Sequence, residues 1–130
     1  MDQHTYFKRI HEFKYPLFAI NRWLDKLTTE HAATLNADQM RYLREVDSYA
    51  DKVLEQIPQL AQLEEMSEKK NAFEHEIGGP LGLLVAWPQV LLSEMYGPLS
   101  PDQRYYLSAI EGAARYLIAL KDDARRELER

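Results

Sequence analysis

Ile10-His11-Glu12-Phe13-Lys14-Tyr15-Pro16-Leu17 and Glu74-His75-Glu76-Ile77-Gly78-Gly79-Pro80-Leu81 are two versions of one stretch, set 64 residues apart. The same offset aligns the rest of the chain without a gap. Trp23 falls on Trp87, Leu27 on Leu91, Glu30 on Glu94 and Leu35 on Leu99. Asp38-Gln39 falls on Asp102-Gln103, Tyr42-Leu43 on Tyr106-Leu107, and Ala50 on Ala114. Matches held in one register mark an internal repeat, which decides how the chain is organised before any local reading. We divide it into repeat one, 1–64, and repeat two, 65–130, within a single domain.

The apolar residues have a helical period. Ile10, Phe13, Leu17, Ile20, Leu24 and Leu27 step by three and four, and repeat two continues the rhythm with Ile77, Leu81, Leu84, Pro88, Leu91 and Met95. A second stripe runs through Leu43, Val46, Ala50, Val53, Ile57 and Leu60, with its counterpart in Leu107, Ile110, Ala114 and Leu117. This is the a/d spacing of a helical seam, and period-two alternation is absent. Ser100-Pro101-Asp102-Gln103 combines a serine N-cap, a proline at the first helical position and a glutamine at the third; Asn36-Ala37-Asp38-Gln39 has asparagine as the cap. These signals place turns around His31–Leu35 and Tyr96–Leu99, where Gly97-Pro98 breaks the chain. The joint between repeats, 61–71, has neither Gly nor Pro, and a short turn and a continuous helix both fit it. The sequence thus predicts an all-α, antiparallel four-helix bundle of two tandem hairpins with internal pseudo-twofold symmetry. A monomer is expected, with a swapped dimer as the alternative if the joint stays helical.

Bulk properties narrow the function classes. The 130 residues carry 21 acidic and 16 basic side chains, a net charge of −5, without a basic patch, so nucleic acid is not an expected partner. No apolar stretch approaches the roughly 20 residues needed to cross a bilayer, and no face pairs a basic stripe with exposed aromatics. Membrane is therefore not an expected partner either. The absence of cysteine rules out disulfides and thiolate metal sites and fits a reducing cytoplasm. None of the four histidines has Glu three residues before it, which removes the di-iron pattern of helical bundles. No cofactor or metal site is expected.

Phe73-Glu74-His75-Glu76-Ile77-Gly78-Gly79-Pro80-Leu81 resembles the H-box of sensor histidine kinases, in which a phosphoacceptor His-Glu pair is followed by an aliphatic residue, a basic residue, Thr or Asn, and Pro-Leu. His11-Glu12-Phe13-Lys14-Tyr15-Pro16-Leu17 is a second version. Gly97-Pro98-Leu99-Ser100-Pro101-Asp102-Gln103, followed by Tyr106-Leu107, is similar to the turn and second helix of the same dimerisation and histidine-phosphotransfer domain. The resemblance covers nearly the whole chain, once per repeat. In that family two chains pair their hairpins into a bundle, so the resemblance implies such a dimer fused into one polypeptide. It implies His75 and His11 as phosphoacceptors, Glu76 and Glu12 as the acids assisting proton removal, and a response-regulator receiver domain or a partner histidine kinase as the partner.

The chemistry asks for an imidazole that is neutral, oriented and open to solvent. His11 and His75 each stand two residues before an expected core position, Phe13 or Ile77, which puts them at the edge of the seam. Pro16 and Pro80, five residues on, deprive the Glu12 and Glu76 carbonyls of their helical partners and should bend the helix there. The family's Thr or Asn is Tyr15 in one copy and Gly79 in the other, and its basic residue survives as Lys14 but not at Gly78. Phosphatase chemistry is accordingly not expected. Nor do these residues include the glycine-rich and asparagine-bearing boxes of an ATP-binding domain, so a self-sufficient kinase is not expected. The competing reading is a non-catalytic bundle kept for docking, scaffolding or regulating a kinase. Trp23, Trp87 and the tyrosines are read as packing, and His4 and His31 as surface residues.

Overall fold

A helix with apolar residues every three and four positions must cover that stripe, and a single hairpin of two such helices leaves half of it in water. The chain resolves this by packing one hairpin onto the other. The computed structural model describes Lys8, residues 11–61 and residues 66–129, except for the side chains of 58–61, 66–76, 125 and 127–129. Four helices follow in order: α1 Lys14–Thr29, α2 Ala37–Ala61, α3 Met66–Leu92 and α4 Pro101–Glu129. Each packs against its neighbours in the chain, and α4 closes the ring onto α1, so α1 faces α3 and α2 faces α4 across the diagonals. The repeat-equivalent helices are therefore the diagonal pairs, as pseudo-twofold symmetry requires. No strand occurs among the described residues, and no described helix is long and apolar enough to cross a membrane.

The predicted seam is the core. Phe13, Leu17, Ile20, Leu24 and Leu27 are buried together with Leu43, Val46, Ala50, Val53 and Ile57. Ile77, Leu81, Leu84 and Leu91 join Leu107, Ile110, Ala114 and Leu117, and α4 adds Leu120 and Ala124. Ile10 and the side chain of Leu60 lie outside the described residues. Met95 departs from the expectation: it is 75% exposed. The apolar stripe of α3 ends at Leu91–Leu92 because Glu94 takes a left-handed φ of 62° and closes the helix before Met95. The second turn consequently begins earlier than Tyr96. Residues 62–65 of the joint between the repeats lie outside the described residues, and the two helices on either side of them pack on each other.

Both predicted capping boxes form. Asn36 Oδ1 accepts from Gln39 N–H at 2.8 Å while Gln39 Oε1 accepts from Asn36 N–H at 2.9 Å. In repeat two, Ser100 Oγ accepts from Gln103 N–H at 3.1 Å and Gln103 Oε1 from Ser100 N–H at 2.8 Å. Each glutamine spends its amide NH2 on the other hairpin. Gln39 Nε2 donates to Pro98 O at 3.2 Å, and Gln103 Nε2 donates to His31 O and Thr34 Oγ1, both at 2.8 Å. Asn36 Nδ2 adds a donor to Tyr96 O at 2.6 Å. The two turns are thus laced together at one end of the bundle. This contact requires Gly97, whose φ is +136° and whose missing Cβ would lie 2.6 Å from Asn36 Nδ2.

Replacing Gln103 or Gln39 by Leu strands a cap N–H and the opposite hairpin's acceptors. We expect a loss of about 2–3 kcal/mol for Gln103→Leu in urea unfolding, and less for Gln39→Leu, which makes one cross-hairpin bond rather than two.

The turn also holds a titrating contact. Glu94 Oε1 accepts from Leu99 N–H at 3.1 Å and from Arg104 at 2.9 Å. The Leu99 amide first, and Arg104 second, hold its carboxyl below the ordinary carboxylate value. A depressed folded-state pKa contributes stability above the unfolded value and loses it as pH falls through the folded one. Glu94→Gln is therefore expected to flatten the acid limb of stability against pH while leaving its neutral-pH shape intact, as measured by urea titrations across the carboxylate range.

Candidate functional site

Helical spacing on α1 and the turn before it sorts the residues around the first His-Glu pair. His11 is helical and exposed, Glu12 is half-buried, and Phe13 is fully buried. His11 heads an outer stripe that continues one turn at a time through Tyr15, Phe18, Arg22 and Asp25, all exposed. Phe13 and Leu17, at 0% exposure, anchor the inner face beneath it. The ring is thus carried on the solvent side of a segment whose other face is locked into the core. Regular helical hydrogen bonding lapses at Phe13, ahead of α1, although Phe13 keeps right-handed φ/ψ of −58° and −31°. Pro16 explains the lapse, since it has no N–H to offer the Glu12 carbonyl. The chain recovers at once, Leu17 N–H bonding Phe13 O at 3.3 Å.

His75 and Glu76 fall within α3, and their side chains lie outside the described residues. What is described is their register. Ile77 and Leu81 are fully buried, as Phe13 and Leu17 are in repeat one. The two motifs therefore meet the core through equivalent anchors and ride on diagonally opposed helices. α3 runs through Pro80 and Pro88 without interruption, where the first copy lapses at its proline. Gly78 and Gly79 give the backbone latitude to yield around the Pro80 ring, which Lys14 and Tyr15 do not.

The departures from the H-box pattern have visible consequences. Tyr15 is 64% exposed, one turn beyond His11 on the same stripe, with Lys14 Nζ 5.3 Å from the centre of its ring. A bulky phenol thus stands beside the approach to His11. A Cβ at Gly78, Gly79 or Gly82 would meet nothing within 4 Å. Repeat two therefore presents a narrow, low-relief helix where repeat one presents Tyr15 and Phe18.

Sequence reasoning missed the cross-hairpin partners of two residues, one of them a tyrosine correctly read as packing. His31, read as a surface residue, has a side chain only 24% exposed, packs 5.3 Å from the Tyr106 ring and sits 4.0 Å from the Asp102 carboxylate. Tyr42 stacks on Trp87 at 4.2 Å and meets Tyr96 at 4.5 Å, their hydroxyls 3.2 Å apart. Burial pairs these groups across hairpins, and no periodicity within one segment signals that. Hydrogen bonding to Tyr42, then burial, pushes the Tyr96 phenol above its ordinary value. Comparison with protein-family models, curated proteins and solved structures finds no match to this chain.

The open glycines make a simple expectation for α3. Gly78→Ala and Gly79→Ala should each stabilise the fold by about 1 kcal/mol, as helix propensity without a steric cost requires. Thermal melts read the gain; a loss would mean that the site uses the backbone's freedom.

Proposed function

We propose that the chain is a two-component signalling module in which His75, and secondarily His11, passes a phosphoryl group to or from an aspartate of a receiver domain. The observation that carries this reading is the repeated motif in one structural register. In both copies the apolar anchors after the His-Glu pair, Phe13 and Leu17 or Ile77 and Leu81, are fully buried, and in the described copy His11 is exposed above them. That arrangement supports transfer: a nucleophilic ring nitrogen at the surface of a segment whose inner face is anchored in the core, and a carboxylate next to it in sequence to take up the ring proton. In the transfer, the imidazole nitrogen forms the N–P bond as the bond from phosphorus to the aspartyl oxygen breaks, and the reverse returns the group to the carboxylate. Glu76 and Glu12 are the carboxylates assigned to the ring protons.

A second reading is a bundle retained for docking or for regulating a partner kinase. Tyr15, exposed beside His11, and Gly79 in the equivalent position of repeat two favour it, since neither offers the side-chain amide or hydroxyl of the family's pattern on a short stem.

One experiment separates the two. Incubation with a phosphorylated receiver domain should label the chain with an acid-labile, alkali-stable phosphate that is reduced in His75→Ala and abolished in His75→Ala/His11→Ala. No label from any phosphorylated receiver, together with undiminished partner binding by the double variant, would select the docking reading instead.

A further inference from the structure

The repeat supplies an internal control for every surface feature, and one groove fails to match its counterpart. Between α1 and α2, Asn21, Asp25, Thr28, Arg44 and Asp47 line an opening of about 440 Å³. Its floor is the apolar core at Leu24 and Leu43, both buried. The equivalent place between α3 and α4 is bridged: Gln89 Nε2 donates to Glu111 Oε1 at 2.9 Å, and Arg115 donates to the same oxygen at 3.0 Å. The residues at the three bridging positions are Asp25, Asp47 and Asp51 in repeat one. Where repeat two has a donor, an acceptor and a cation, repeat one has three acids, which accept but do not donate and so cannot make the bridge.

The consequences are consistent with one kind of occupant. No ion pair joins Arg44 to Asp25 or Asp47 among the described residues. Asn21 Oδ1, on the same wall, is shut off from solvent and accepts no hydrogen bond, a deficit that buried polar groups rarely carry. The Thr28 hydroxyl donates to Leu24 O at 2.8 Å, which leaves its oxygen as an acceptor. Burial first, and the Asp51 charge second, raise the Asp47 carboxyl above its ordinary value, so an approaching positive charge would relieve it. The groove thus sets the Asp25 and Asp47 carboxylates over an apolar floor, with the Arg44 guanidinium and the Asn21 amide as the donors in its lining.

We propose that this groove binds an aliphatic cation, an ammonium or guanidinium group on a short hydrocarbon stem, with Asp25 and Asp47 holding the head and Leu24 and Leu43 receiving the stem. The opening lies at the small end of the range for small-molecule pockets, which suits a group the size of a single side chain. A free diamine and an arginine side chain on a partner share this chemistry. The inference is independent of phosphotransfer, since it involves neither histidine.

The test is an amide-resolved NMR titration of the full chain at matched ionic strength, with putrescine in one arm and a short acetylated peptide holding a single arginine in the other. We expect saturable shifts at Asn21, Thr28 and Asp47 and none at Gln89 and Glu111, with the tighter arm naming the source. Copying the repeat-two bridge, Asp25→Gln/Asp47→Glu/Asp51→Arg, should weaken binding about tenfold or more, the loss expected for a charge-assisted hydrogen bond. Arg44→Ser, which copies the exposed Ser108 and removes the competing charge, should tighten it several-fold. Shifts that fail to saturate in both arms, binding unchanged in the bridged variant, or binding weakened by Arg44→Ser would each overturn the proposal.

Discussion

Gln39 and Gln103 are the polar side chains most deeply buried in the described structure, and the two hairpins are held in register through them. Each closes a capping box at the start of its own helix and then bonds the turn of the other hairpin. The apolar seam drives the hairpins together, but a seam of Leu, Ile and Val tolerates sliding, because its energy depends on area rather than direction. A buried amide does not tolerate it. Shifting one hairpin by a single turn would leave the NH2 groups of both buried glutamines without their partners on the other hairpin. Directional bonds at one end therefore fix an alignment that non-directional burial supports along the whole length.

That lacing lies at the turn end of the bundle, whereas the His-Glu pairs lie toward the other. His11 stands 18 positions before Thr29 at the end of α1, about 27 Å at the helical rise. The chemistry proposed for the histidines thus occurs far from the most constrained part of the molecule. Prolines at equivalent positions weaken the helix next to each pair, and in repeat two the adjacent glycines add to that latitude. A constrained base with a locally weakened helix beside the His-Glu pair would suit the proposed transfer, in which the ring meets a second protein.

The two repeats share a core and diverge on their surfaces. Outside the core, Tyr15 and Phe18 oppose Gly79 and Gly82, and the acids Asp25, Asp47 and Asp51 stand where repeat two has Gln89, Glu111 and Arg115. A homodimer of identical hairpins cannot make this distinction; a fused pair can assign different work to its two faces. Exposed large side chains gather on α1, through Tyr15 and Phe18, and on α4, through Tyr105 and Tyr116.

Much of this was legible before the structure. Spacing alone identified the four helices and nearly every core residue, because a three-four period has one solution when a single face is buried. Both capping boxes were readable for the same reason: their bonds connect residues three apart. The sequence by itself therefore determined the repeat, the helices, the starts of α2 and α4 and the candidate histidines. Tertiary structure alone decided that Met95 is exposed, since a left-handed residue at Glu94 ends α3 early. It alone decided that His31 is tucked against Tyr106 and that the capping glutamines reach across to the opposite hairpin. It also decided that one groove is open while its twin is bridged. Local period and capping are properties of a few consecutive residues, whereas these features depend on groups some 20 to 70 positions apart, whose meeting is set by the packing of whole helices.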